Sequence, residues 1–506
     1  MSSQISFQPD FRPPLPPIEA PKEFLEKRAL YETIDDMLRR SGADERFVSL
    51  AVAEAEAGAP SGSVLNPKFL EHSFRALRCN IVRHLEGNTP LRELSNTLAD
   101  SNLLQWFCHI EKFGSIRVPS KSTLGRYLNW VSKESLDKII TGLLQWAGDT
   151  GGGGDHGRRL GLEEPIDLEE AWLDSTCLKA DIHFPTDWVL LIDAARTLMQ
   201  ATTLVRKAGL KNRMPQAPEG FLREMNKLGI AMSQQRRQRD APKRRKGILR
   251  EMKKMVRRIG EHARKHRELL QEHWQEETEL GEGQARQIIG RIDRVLEQLP
   301  EAQRQAHERI IGGRQVKSSE KILSLYEKEI NVIVRGKLGK EVEFGNGLLL
   351  AEQRDGLIVD WQLGEGASSD VEMLVPSIDR IANRTGPLFK RACTDRGFQS
   401  QANDRALGER GIESRACPRK LDELRERMKE GDFAESQRRR SQTEARVSIL
   451  GRCFLGTPLL AKGFANREQA VHWAVLAHNL WVLARLRLEQ ESQRRAREKA
   501  QARRRA

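Results

Sequence analysis

Three carboxylates stand in contexts that suit shared chemistry. Asp174 lies in an apolar run, Trp-Leu-Asp-Ser-Thr, that reads as a buried strand, where an unpaired carboxylate is costly. Asp395 ends a second short strand in Cys-Thr-Asp-Arg-Gly-Phe, with Gly397 permitting a sharp turn beside it. Glu444 lies on a helix preceded by Arg438, Arg439 and Arg440, cations suited to holding phosphates near it. Acids from two strands and a helix that meet at one sheet edge match the needs of phosphodiester cleavage. Two Mg²⁺ ions about 3.5–4 Å apart can activate the nucleophile and stabilise the leaving oxygen. Mg²⁺ takes hard oxygen ligands, and one or two carboxylates per ion suffice; Mn²⁺ suits the same ligands. Each acid alone also has an ordinary explanation: Asp174 as a buried cap, Asp395 as a turn residue, Glu444 as a surface acid paired with Arg440 at i, i+4. Asp187, Asp193 and Asp360 are the rivals for the metal site. His183 reads as structural or close to phosphate, and His472, His478, Trp473 and Trp481 as packed on an apolar helix.

The elements that must position these acids follow from the pattern of the chain. Residues 1–22 form a Pro-rich leader expected to be disordered, and 23–146 are helical in pattern. Within that region LRELSNTLADSNLLQWF (91–107), a break, and VPSKSTLGRYLNWV (118–131) read as a helix, a turn and a short basic helix carrying Lys121 and Arg126. This is the order of a helix-turn-helix. A glycine run marks 147–165 as a flexible linker. Residues 169–184 read as the first strand, and a helix follows from about 188. The charged helical segment 206–335 carries one apolar stripe, Ile248, Met252, Met255 and Ile259. A hairpin over 342–363 turns at Gln-Arg-Asp-Gly. After it come a helix to Gly386, a strand at 389–398, a helix at 402–411, a strand at 412–420, the Glu444 helix and an apolar helix at 470–486. Strand, hairpin, helix, strand, helix, strand, helix predicts an α+β mixed sheet of the ribonuclease H type, with a long helical insertion after its first strand.

Charge points to the partner. The chain of 506 residues carries a formal net charge of +14. Residues 235–258 hold twelve Lys or Arg against two acids, among them Lys243, Arg244 and Arg245, and residues 485–506 hold nine against three. The remainder is close to neutral, so the basic character belongs to two segments, as a phosphate backbone would demand. No apolar run is long enough to span a membrane, and the leader lacks the regions of a signal peptide; a cytoplasmic protein is expected. Six scattered cysteines with no CxxC pair indicate neither a disulfide framework nor a zinc site. Aromatic residues make up 6% of the chain, with no basic–aromatic interleaving on a sheet, which ranks an RNA-binding scaffold last.

DSTCLKADIHFPTD (174–187), FGNGLLLAEQRDGLIVDWQL (344–363), ACTDRGFQSQAN (392–403), TEARVSILGRCFL (443–455) and KGFANREQAVHWAVLAHNLWVLAR (462–485) together resemble, in order, the blocks of DDE transposases of bacterial insertion sequences. The front-end blocks resemble the same family, so the likeness spans most of residues 85–485. It implies a ribonuclease H-like catalytic core whose three acids fall on Asp174, Asp395 and Glu444, two metal ions per site, double-stranded DNA as partner (terminal inverted repeats and target), and a homodimer holding two ends. The first gap, 221 residues, is long and the insertion accounts for it; the second, 49, is ordinary. In the family's Tyr-xx-Arg-xxx-Glu signature, Arg440 and Glu444 match, but Gln437 stands at the tyrosine position and no lysine follows seven residues after Glu444. The expected organisation is a DNA-end-binding domain at 23–146, a catalytic domain split over 166–205 and 336–482, the basic insertion 206–335 between its halves, and a basic tail at 483–506. The alternatives are a metal-dependent nuclease that does not rejoin DNA, and a transposase-derived DNA-binding protein without catalysis.

Overall fold

The computed structural model describes residues 14–58, 66–112, 114–148, 160–234, 240–337, 340–365 and 369–505. The expected leader up to residue 13 and most of the expected glycine linker lie outside them. The front of the chain is built of α1 (Lys22–Arg40), α2 (Ala43–Gly58), α3 (Pro67–Leu85), α4 (Leu91–Asp100) and α5 (Asn102–Cys108). A small hairpin, β1 (Glu111–Lys112) and β2 (Ser115–Ile116), precedes α6 (Lys121–Tyr127) and α7 (Lys133–Ala147). The single helix expected over 91–107 is two. Ser101 leaves the helical conformation and its side chain accepts the Leu104 N–H as the N-cap of α5, the exchange serine makes most readily. Ser120 caps α6 in the same way through the Thr123 N–H. Arg78 of α3, fully buried, lies between the buried carboxylates of Asp35 and Asp44 and ties α1, α2 and α3 together.

The sheet is mixed and open, and the fold is α+β. Its central strand β3 (Glu170–Lys179) pairs antiparallel with β5 (Lys340–Glu352) and parallel with β7 (Arg391–Thr394). The far edge of β5 is shared by β4 (Asn331–Lys337) and β6 (Ile358–Leu363), and β8 (Glu413–Ser414) extends the parallel side beyond β7. Strand β4 falls at the end of the expected helical insertion, where no strand was expected. Gln353 makes the hairpin turn before β6, accepting the Asp355 and Gly356 N–H groups.

Between β3 and β4 stand α8 (Asp187–Lys207), α9 (Pro218–Gln234), α10 (Ala241–Glu277) and α11 (Glu282–Ala306). Trp188, Leu191, Leu198 and Val205 of α8 belong to a second apolar core, with Phe221, Met252, Ile259 and Ile292. The boundary expected at 206 therefore moves to the start of α8: its inward face is apolar along its whole length, and it is these insertion helices that cover it. Met252 and Ile259 of the expected stripe are fully buried, and Ile248 and Met255 pack beside them.

After β6 come α12 (Asp370–Thr385), α13 (Gln401–Glu409), α14 (Leu421–Arg427), α15 (Gly431–Arg439), α16 (Ser441–Ile449) and α17 (Phe464–Arg505). Helix α12 ends at Gly386, whose φ of +66° suits glycine. Helix α17 runs unbroken through the boundary expected at 482. In its first part Trp473, Val475, Leu476 and Leu480 are fully buried in one core that also contains Tyr31, Phe47, Leu77, Leu143, Leu173 and Leu350. Front helices and sheet thus share a single hydrophobic core, and the helical front region is not separately packed. No helix among the described residues is long and apolar enough to cross a membrane.

Candidate active site at the β3–β7 junction

The parallel register of β3 and β7 fixes two of the acids. Leu173 lies opposite Thr394, the last paired residues, so Asp174 and Asp395 are the next residues on the two neighbouring chains. Asp174 sits mid-strand with Leu350 opposite on its other side. Trp172, two residues earlier, shares its face of the sheet. The Trp172 indole N–H donates to the Ser436 carbonyl of α15 at 2.9 Å, and Arg439 lies over its ring at 4.9 Å. Helices α15 and α16 are therefore seated on the face toward which Asp174 points, and α16 brings Glu444.

The electrostatics of Asp174 report the convergence. Burial is the largest influence and pushes its carboxyl up to about 6; the Ser175 N–H and the charge of Arg440 oppose this, while the negative charges of Asp395 and Glu444 raise it further. Asp395 and Glu444, distant in sequence, are thus both within electrostatic reach of Asp174. None of the three forms an ion pair among the described residues. Asp174 accepts the Ser175 N–H at 2.9 Å and Asp395 accepts the Gly397 N–H at 2.7 Å. Glu444 is exposed, Asp174 and Asp395 half-buried. As they stand, no group of three or more His, Cys, Asp or Glu side chains among the described residues is gathered tightly enough to hold a metal ion.

Gly397 is required by space. A Cβ there would lie 2.7 Å from an Asp370 carboxylate oxygen and 2.9 Å from one of Asp395. Asp370, at the start of α12, is thus a fourth acid beside the site. The sequence held no signal for it, because the approach depends on how α12 is set against the β7 turn.

The rival acids are committed elsewhere. Asp360 is fully buried between Arg380 (2.9 and 2.7 Å) and Arg384, with Ser377 donating at 2.6 Å. Asp187 is held by Gln305 at 2.9 Å and Arg309 at 2.8 Å. Asp193 pairs with His183 at 2.9 Å and Arg196 at 3.0 Å. His183 sits with that pair in the insertion and not beside Asp174. His478 is fully buried, and burial, with Arg446 nearby, lowers its pKa to about 3; His472 is lowered by burial too.

The three arginines before Glu444 divide by role. Arg439 binds the buried Glu352 of β5 at 2.8 Å, which also takes Arg446 at 3.0 Å. These two pairs clamp α15 and α16 to the sheet, on either side of Glu444. Arg438 is exposed and lines a cleft of about 640 Å³ with Glu170, Trp172, Arg391, Arg415 and Ser436. Arg440 is the arginine whose charge reaches Asp174, and its Nε is buried without a hydrogen-bond partner. Gln437 donates to the Arg415 carbonyl at 2.7 Å, so this position fastens α15 to the strand-β8 side of the sheet.

Among the other expected DNA contacts, Lys121 and Arg126 are exposed on α6, whereas Tyr127 of the same helix is buried and hydrogen-bonded to His72 at 2.6 Å. Lys243 and Arg244 are exposed at the start of α10, and Arg245 is half-buried. All six cysteines are free.

Compared with known proteins, the chain matches no family model, no curated protein and no solved structure.

Proposed function

We propose that this chain is a DNA transposase of the DDE type, with Asp174, Asp395 and Glu444 as its metal-holding acids on a ribonuclease H-like core. The element order supports the core: after the first strand and the insertion come β4 and the β5–β6 hairpin, then helix, strand, helix, strand and helices. The observation that carries the active-site reading is Asp174. Its carboxyl is half-buried, forms no ion pair among the described residues, and is raised by burial and by the charges of Asp395 and Glu444 against the opposing charge of Arg440. Burial without a counter-charge is expensive, and a divalent cation is the natural remedy. The donor set fits, since all three are hard oxygen ligands of the kind Mg²⁺ or Mn²⁺ prefers. The rivals that sequence alone left open are each neutralised by protein cations.

When bound, the metal pair lowers the pKa of a coordinated water and stabilises charge on the leaving oxygen. The protein's own contribution is to position. Asp174 and Asp395 are fixed by strand register, and Glu444 by the Arg439–Glu352–Arg446 clamp beneath its helix. Arg440 and Arg438 supply positive charge on the side where a scissile phosphate would lie. In the first step water attacks phosphorus at the element end and the P–O3′ bond breaks, freeing a 3′-hydroxyl. In the second step that hydroxyl attacks a phosphorus of target DNA and a target P–O3′ bond breaks. Terminal repeats and target are bound as duplex DNA, and two ends call for two copies of the chain.

The test is cleavage and joining of a duplex carrying the element's ends, with Mg²⁺ and then Mn²⁺, by wild type and by Asp174→Asn, Asp395→Asn and Glu444→Gln. Wild type is expected to cut and join, and the three variants to bind without cutting. A variant that cuts normally removes that residue from the site. Wild type that cuts but never joins is a nuclease, and wild type that binds but never cuts is a DNA-binding protein without catalysis.

A further inference from the structure

The last part of α17 has no packing to hold it. From Ser492 onward every residue whose side chain is described is exposed, whereas the same helix is core up to Ala484. The segment Ser492–Arg505 carries Arg494, Arg495, Arg497, Lys499, Arg503, Arg504 and Arg505 against the single acid Glu498. Its apolar residues are Ala496, Ala500 and Ala502, so it offers no stripe for a coiled-coil partner or a membrane surface. The ion pairs that touch it are surface pairs: Arg494 with Glu163 at 3.3 Å and Glu498 at 3.7 Å, and Arg495 with Glu491 at 3.9 Å. Such pairs are worth little and exchange readily for stronger anions.

The placement of the cations narrows the partner. At 3.6 residues per turn, Arg494, Arg495, Arg497, Lys499, Arg503 and Arg504 point to all sides of the helix. The basic helix of the insertion is different. On α10, the exposed Arg250, Lys254, Arg257, Arg264 and Lys265 share one side, opposite the buried Met252, Val256 and Ile259. A one-sided stripe suits a single phosphate backbone. Cations all round suit a helix flanked by phosphates on both sides, which is the environment inside a groove.

We propose that Ser492–Arg505 is a DNA arm that lies as a helix in the major groove of B-form duplex, gripping the phosphates on both walls. A helix is about 10–12 Å across with its side chains, and the B-form major groove is about 12 Å wide. The groove of A-form RNA is deep and too narrow for this. With its cations engaged by the phosphates on the two walls, contacts that carry no sequence information directly, its grip is general and not sequence-specific. It rests on the reading of this chain as a duplex-DNA protein, though not on its catalysis.

The experiment compares the full chain with a chain ending at Glu491, by fluorescence anisotropy on a random-sequence DNA duplex and on the matching RNA duplex, across a series of salt concentrations. Each phosphate neutralised contributes about 0.9 to the slope of log affinity against log salt. Loss of the arm should therefore flatten the DNA slope by up to about 6 for seven cations, leave the melting temperature unchanged, and scarcely alter RNA binding. Equal slopes for the two chains overturn the arm while leaving the transposase reading intact. An equal loss on RNA and DNA overturns the groove assignment. A full chain that binds no duplex DNA overturns both.

Discussion

Asp174→Asn should make the metal-free protein more stable at neutral pH while abolishing cleavage. The carboxyl titrates near 6 in the folded chain against an ordinary 3.8, chiefly through burial. The folded state therefore holds this proton more tightly than the unfolded chain does. The stability this lends is complete below the unfolded value, declines as pH rises through the window from about 4 to about 6, and is gone above it. A shift of about two units at 1.36 kcal/mol each sets an upper figure of about 3 kcal/mol for the cost of ionised Asp174. Asparagine keeps an oxygen for the Ser175 N–H and carries no charge, so it escapes that cost. Across a chain of this size the gain corresponds to about 3 °C in melting temperature if the molecule melts as one unit. Thermal unfolding of wild type and Asp174→Asn, followed from below pH 4 to neutral pH without divalent metal, should show curves that coincide in acid and separate as pH rises. Adding Mg²⁺ should stabilise wild type and leave the variant behind. A constant difference at every pH would refute the argument, since it would mean that the carboxylate carries no electrostatic penalty in the fold.

Three further perturbations test the scaffold around the site. Glu352→Ala leaves Arg439 and Arg446 facing a buried, uncompensated position, and should cost about 3–5 kcal/mol in urea unfolding, with Glu352→Gln losing less. Gly397→Ala places a methyl where oxygens of Asp370 and Asp395 stand within 3 Å; it should cost about 1–3 kcal/mol and suppress cleavage far more than DNA binding, as measured on the same duplex. Lys121→Ala with Arg126→Ala removes two exposed cations of α6, and should weaken duplex binding and flatten its salt slope by about 2 without shifting the melting temperature.

Much of the fold was legible because its elements are locally consistent. The Gln-Arg-Asp-Gly turn between two apolar runs gives the β5–β6 hairpin, and Gly386 stops α12 where a left-handed residue is needed. What failed was decided at long range. Ser101 splits an amphipathic pattern that reads as one helix, since a serine that can cap is indistinguishable in sequence from one that points to water. Helix α8 follows the first strand and so reads as part of the sheet domain, yet its apolar face is covered by α9, α10 and α11. The basic segment at the end of α17 reads as a tail because charge suggests solvent; the structure gives it the same helical path as the core segment before it.

The acids make the same point about sites. Asp174, Asp187, Asp193 and Asp360 are alike to a reader of sequence: each lies close to an apolar run, and each is at least half-buried in the structure. They differ in what faces them. Asp360 meets Arg380 and Arg384, Asp193 meets Arg196 and His183, and Asp187 meets Arg309, each supplied by a distant or helical neighbour that no local pattern announces. Asp174 meets Asp395 and Glu444, with the charge of Arg440 in reach but no ion pair among the described residues. A buried acid neutralised by arginine is a structural strut, because the protein already provides the charge that burial demands. A buried acid surrounded by other acids is unstable unless something outside the chain supplies the cation, so the energetic debt itself marks where a metal and its phosphate would sit. The same logic separates the arginines. Arg439 is spent on Glu352, while Arg440 and Arg438 retain charge that a phosphate can use, so the clamp and the proposed catalytic surface share one short stretch of chain.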